Sequence, residues 1–381
     1  MAAKRSAALL VLAAIVLFSL VFLIRMKDEM ADFEVNYKAG QRIRSGETLY
    51  RTADGHWQFK YLPFSAFLYV PLTLLPLALA KAVWFGLIVA ASVSIIVISS
   101  KLIDYKYDTF LSPVLVTVLV MGRYFFREIQ LGQINALITF LLVALIWLLA
   151  RSQTAAAAAV GGALGGLATA LKPYALVFFP YFALRKKWTA LALGLAVLSL
   201  AIFAPALSYG WKGNLIVLGE WRSSLAMSTP SLLSSQDNVS LIGFLMKRTH
   251  DQSVSLVVYG IILAALGGLV LFLLHRGSRL SQSTVLDGFL FLALIPLISP
   301  LGWDYTFLCA APAVMLICRH YDKYRPFWKG FLVFNFLIIS LSLYDLMGRG
   351  LYAAFMSSSI ITLDFLALVS YLAYLRIKGH A

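Results

Sequence analysis

Apolar runs about as long as a bilayer is thick recur from one end of the chain to the other, and they leave few folds open. Crossing the roughly 30 Å hydrocarbon layer takes about 20 residues as a helix, and backbone in lipid must satisfy its own hydrogen bonds. The chain is therefore expected to be an all-α polytopic membrane protein, a helical bundle and not a barrel. The runs read as residues 6–24, 82–100, 109–122, 134–150, 155–171, 173–184, 188–209, 254–275, 285–300, 304–318, 329–345 and 352–375, about 12 transmembrane helices with both termini inside.

Composition agrees, because 61% hydrophobic and 13% charged residues are far from the balance of a soluble domain. Cys309 and Cys318 lie in one apolar run and imply neither a disulfide framework nor a metal site. The five histidines are scattered, so no cofactor and no divalent metal are expected. Lys4 and Arg5 precede the first run, but Arg25-Met26-Lys27 offers no small-residue cleavage site, so that run is read as retained.

Orientation follows from the short basic loops. Lys101 and Lys106, Arg151, Arg185 to Lys187, Arg276 and Arg279, Arg319 to Lys329, and Arg376 and Lys378 all fall inside if residues 62–79 do not cross. That segment is broken by Pro63, Pro71 and Pro76, with Lys81 interrupting the apolar sequence after it, and is expected to be re-entrant or interfacial. The long segments 25–61 and 210–253 then face outward and carry acids, aromatics and amides.

The first of these holds the pattern D-F-x-x-x-Y-x-A-G-x-x-x-x-x-G-x-x-L-Y, from Asp32 through Tyr37 to Tyr50, followed by Tyr61 and Pro63. A carboxylate at the lipid boundary is costly unless it has work to do. Phe33, Tyr37, Trp57 and Tyr61 are expected to shelter Asp32 there, an environment suited to a general base.

Other outer-face groups are candidates for binding. Arg123, Arg127, Glu128, Gln130, Gln133 and Asn135 lie between two spans; the arginines could grip a phosphate and the amides sugar hydroxyls, or cap a helix start. Lys172, before Pro173, is a cation at a break and a second phosphate candidate, whereas the glycines of the run preceding it read as close helix packing. Residues 210–253 add Arg222, Asp237 and Asn238, the last two within a stretch that also reads as a helix cap. Trp303, Asp304 and Tyr305 follow a Ser-Pro break on the same side, and Asp364 is an intramembrane acid without a visible partner.

Taken in order, the D-F-x-x-x-Y-x-A-G loop, the G-Q-x-N element (132–135), the Lys172-Pro173 break and the S-P-x-x-W-D element (299–304) resemble glycosyltransferase family 87. This group contains polyprenyl-phosphate-mannose-dependent mannosyltransferases of the C-type membrane glycosyltransferase superfamily. The resemblance implies one integral membrane domain over residues 1–381, with Asp32 as catalytic base in an outer catalytic loop. It implies transfer of a sugar, mannose first, from a polyprenyl-phosphate donor to a hydroxyl of a glycolipid or glycan, with inversion, in cell-envelope glycolipid synthesis. Arg123, Arg127, Lys172 and Arg222 are the expected donor-phosphate contacts. Tyr37, Gln133, Asn135, Asp237, Asn238, Trp303, Asp304 and Tyr305 are the expected sugar or acceptor contacts. The family often has histidine where Tyr305 stands. The expected setting is a bacterial plasma (inner) membrane with the site on the extracytoplasmic side, a monomer among membrane lipids and no nucleic acid. A transporter or flippase of lipid-linked sugars is the rival reading, although the internal repeat common in transporters is not found.

Overall fold

The structure, a computed structural model, describes residues 20–104, 112–276 and 283–379. The first expected span, 6–24, lies almost wholly outside these. Among the described residues the chain is all helix, with no strand and a lone antiparallel bridge between Asn238 and Trp303.

A π-helical turn, Phe22–Met26, leads to α1 (Ala31–Ser45). A 3-10 segment, Pro63–Leu74, then packs along α1, with the Tyr69 ring between Phe33 and Trp84 at centroid distances of 6.0 and 4.8 Å. Its prolines explain the form, since each removes a backbone donor from a regular ladder. α2 (Leu77–Leu102) follows without interruption at Lys81. The side chain of Lys81 leaves the apolar face: its ammonium donates to the carbonyls of Lys27 and Glu29 at 3.1 and 2.7 Å and pairs with Glu34. A lysine that looks like a break in the sequence is thus the tie between α2 and the start of α1.

α3 (Pro113–Leu131) begins with Ser112 capping Leu115 and Pro113 in the first turn, and it runs past the expected span end at 122. Arg123, Arg127 and Glu128 consequently sit on helix, not in a loop. α4 (Asn135–Arg151) and α5 (Ala155–Leu171) come next, then a 3-10 turn (Pro173–Val177), α6 (Phe178–Leu184) and α7 (Trp188–Phe203). A Cβ on Gly162 or Gly166 would run into the backbone of Ala190 or Gly194, so α5 and α7 touch along their main chains as small-residue interfaces allow.

Much of the stretch 210–253, expected as a loop, is helical. α8 (Ala206–Leu233) turns 86° from α7, and α9 (Leu241–Thr249) is capped by Ser240. After α10 (Gln252–Arg276) come α11 (Ser283–Ile298), a 3-10 turn (Asp304–Ala310) and α12 (Ala311–Arg319). α13 (Pro326–Leu341) and α14 (Tyr344–Ser358) meet at 100°, and α15 (Ile360–Lys378) ends the fold. The last expected span, 352–375, therefore divides between two helices.

Three of these helices are long and apolar enough to cross a bilayer, Leu77–Leu102, Gln252–His275 and Ile360–Lys378, or five elements if each bent pair counts as one; several others are apolar but shorter. The whole is a polytopic membrane protein. α11 lies at its centre, buried on every side, while α10 presents Val254, Val257, Ile261 and Leu271 outward, a face that suits lipid. Opposite charges in the interior are paired: Asp287 on α11 binds Arg185 at 2.5 Å and Arg376 at 2.7 Å, joining α11 to α15 and to the end of α6. Asp364 has a partner after all, because Asn335 on α13 donates to it at 3.0 Å.

Candidate active site

The site is built where the start of α1 meets the end of α3. Met30, before α1, takes a left-handed backbone (φ 69°) and its N–H reaches the carbonyl of Gln130 at 2.9 Å. On the other side Gly132 ends α3, also left-handed (φ 68°), and a Cβ there would lie 2.7 Å from the Cβ of Phe33. Glycine is required twice, for the turn and for the contact. The Trp84 indole donates to the Gly132 carbonyl at 2.9 Å. This close approach puts the next residue, Gln133, against Asp32.

Gln133 donates from Nε2 to Asp32 Oδ2 at 2.7 Å and to the Tyr305 hydroxyl at 3.3 Å. Its carbonyl oxygen accepts from the Tyr61 hydroxyl at 3.1 Å and from the Lys172 ammonium at 3.3 Å. Lys172 also donates to Asn135 Oδ1 at 2.8 Å, and its charge sits 5.1 Å from the centre of the Tyr61 ring. Tyr174 donates to the same Asn135 oxygen at 3.0 Å. The Asn135 amide in turn donates to Glu128 Oε2 at 2.8 Å. Asp32 remains half-buried and open on one side, while Gln133, Asn135 and Glu128 are buried.

Burial pulls the Lys172 ammonium down to about 8, against the opposing pull of Glu128 and Asp32. Lys60 is likewise lowered by burial and held up by Asp32, which makes it a second cation within electrostatic reach of that carboxylate. The arrangement sets a carboxylate that can accept a proton one amide away from a cation that can meet a phosphate.

A neighbouring cluster gathers further expected residues. Arg123 binds Asp304 at 3.1 Å and also donates to the Ser342 hydroxyl and carbonyl, so part of its charge is already met. Tyr305 follows Asp304 and links this cluster to Gln133. Arg127 binds Gln130 at 2.9 Å, and the Asp237 carboxyl nearby is pushed up by partial burial and by Asp304, against the smaller pull of Arg127 and Lys247.

The remaining expected residues sit elsewhere. Tyr37 donates to the Leu75 carbonyl at 2.8 Å and braces α1 against the segment before α2. Asn238 spends its whole amide on backbone, donating to Leu233 and Pro300 and accepting from Ser240 and Gly302, so nothing is left for a sugar. Trp303 supports the same turn through its bridge to Asn238. Arg222 is exposed on α8, whose Trp221 donates to the Lys60 carbonyl. Trp57 does not shelter Asp32; it lines a cavity of about 330 Å³ with Lys38, Arg42 and Asp54 on another face of α1. Tyr61, expected to shelter Asp32, donates to Gln133 and faces Lys172, and Tyr174, just after the Lys172-Pro173 break, joins the same cluster without having been singled out in the sequence.

Comparison with known proteins bears on the family of the chain. A curated relative from Mycolicibacterium smegmatis, a polyprenol-phosphate-mannose-dependent alpha-(1-2)-phosphatidylinositol pentamannoside mannosyltransferase, is 23% identical over 282 residues. That match covers 70% of this chain and spans 62% of the relative's length. No solved structure matches. The model of glycosyltransferase family 87 matches residues 59–300, more than half of the chain, including Tyr61, Gln133, Asn135 and Lys172, with Asp32 lying before the matched region. The chain belongs to glycosyltransferase family 87.

Proposed function

We propose that this glycosyltransferase moves a mannosyl group from a polyprenyl-phosphate donor to a hydroxyl of a glycolipid or glycan acceptor at the outer face of a bacterial plasma membrane. The fold is of the C-type membrane glycosyltransferase class, with about 12 spans. The observation that carries the reading is Gln133, hydrogen-bonded to both Asp32 and Lys172.

Asp32 takes the proton of the acceptor hydroxyl as its oxygen bonds to the anomeric carbon of the sugar. The bond from that carbon to the phosphate oxygen breaks, and the electron pair leaves with the polyprenyl phosphate. Lys172 meets the growing phosphate charge, and a cation so placed stabilises the transition state more than the ground state. One displacement inverts the anomeric centre, and no step calls for a metal. The prenyl tail lies among apolar helices, which suits a bundle without a soluble nucleotide-binding domain.

The relative named above supports mannose and a lipid acceptor as the first substrates to try. Incubation of membranes containing the wild type with radiolabelled polyprenyl-phosphate mannose should give labelled lipid or glycan, and Asp32→Ala membranes should give none above background. No labelled product from the wild type with any lipid-linked sugar would reject the reading.

A further inference from the structure

Glu128 has no part in the chemistry above, yet it is an ionisable side chain with no exposed surface. A buried carboxylate is costly unless its oxygens are satisfied. Both are: Oε1 accepts from the Ala136 N–H and Oε2 from the Asn135 amide, each at 2.8 Å. The direction of these bonds is what matters.

Lys172 carries hydrogens only, so whatever faces it must accept. Asn135 must therefore turn its carbonyl oxygen to Lys172 and Tyr174, which sends its NH2 group the other way, to Glu128. The Ala136 N–H approaches from the helix start, so two donors converge on one side chain there. A carboxylate meets both, one on each of its oxygens. We propose that Glu128 is a positioning residue, which fixes the orientation of the Asn135 amide and through it holds Lys172 where the donor phosphate binds.

This rests on the reading of Lys172 as a donor contact. Glutamine at 128 keeps size and removes one acceptor. Its NH2 then opposes either the Asn135 NH2 or the Ala136 N–H, and relief comes when Asn135 turns its own NH2 toward Lys172. An aspartate introduced at 135 alongside it restores the pattern. The new glutamine donates to one of the aspartate oxygens, the other oxygen accepts from Lys172 and Tyr174, and total charge is unchanged.

The test measures transfer from polyprenyl-phosphate mannose by full-length enzyme in detergent, with thermal melting recorded for each variant. Glu128→Gln should lose roughly 10- to 100-fold in kcat/KM, mostly as raised donor KM, because a buried donor then faces Lys172. Glu128→Gln combined with Asn135→Asp should regain at least tenfold over the single variant. Asn135→Asp alone sets two carboxylates against each other, so its activity relative to wild type should rise between pH 8 and pH 6 as they share a proton. Near-wild-type kinetics for Glu128→Gln would overturn the inference. So would a double variant that melts normally without recovering. If the double variant does not fold, a flat pH ratio for Asn135→Asp overturns it and a rising ratio supports it. A wild type that transfers nothing removes the proposed function and this role together, whereas an active wild type without the pattern removes only this role.

Discussion

Gln133 holds Asp32 by one end of its amide, at 2.7 Å, and Lys172 by the other, at 3.3 Å. An amide has distinct donor and acceptor ends, so the carboxylate and the cation can share it only in this order. The carboxylate and the cation are thereby held at the two ends of one side chain, as the proposed attack and departure on opposite sides of one sugar carbon call for.

If Lys172 meets the donor phosphate as proposed, donor binding should depend on pH. Burial brings this ammonium from an ordinary value near 10.5 to about 8. Donor affinity in the free enzyme should be level below pH 8 and fall as pH rises through it, since the cation is lost. Stability moves the other way: between about 8 and 10.5 the unfolded chain binds more protons at this group, so its contribution to stability rises with pH. Titrating donor binding from pH 6.5 to 9.5 checks this, with Lys172→Arg as the variant that keeps its charge and flattens the profile. A wild-type affinity that does not change across pH 8 contradicts the assignment.

Asp287 should matter to stability and not to the donor. It pairs with both Arg185 and Arg376 from a site with 1% of its side chain exposed, and removing one partner of a buried pair typically costs about 3–5 kcal/mol. Asp287→Asn should lower the melting temperature in detergent while the folded fraction keeps its donor KM. An unchanged melting curve would show that the pairing contributes little.

Topology is open to chemical labelling. With Cys309 and Cys318 replaced by alanine, a cysteine at exposed Ala53 should react with an impermeant thiol reagent on intact cells, and one at exposed Gln153 should not. The reverse pattern would place Asp32 on the inner side.

Much of the site was legible in the sequence because its residues stand in short motifs at points where apolar runs break. Asp32, Gln133, Asn135, Lys172 and Tyr305 were each marked this way, and the structure brings them into one hydrogen-bonded group. Facing was not legible. Tyr37 and Trp57 sit near Asp32 in sequence, but the helical turn of α1 and the chain beyond it send them to other surfaces. Arg123 reads as a free cation until the fold supplies Asp304, 181 residues away. The bends after Phe203 and Leu341 escaped because apolar sequence continues through them, so hydropathy shows a span where the chain turns. Lys81 misled in the opposite sense, since a buried lysine that reaches backbone carbonyls need not end a helix.

The central claim is that the Asp32 carboxylate takes the acceptor proton. Asp32→Asn keeps the size of the side chain and removes the base. With donor binding and melting shown to match wild type, single-turnover transfer from labelled polyprenyl-phosphate mannose should fall by roughly 10²- to 10⁴-fold, the usual worth of general-base catalysis. Transfer by Asp32→Asn at close to the wild-type rate would contradict the account.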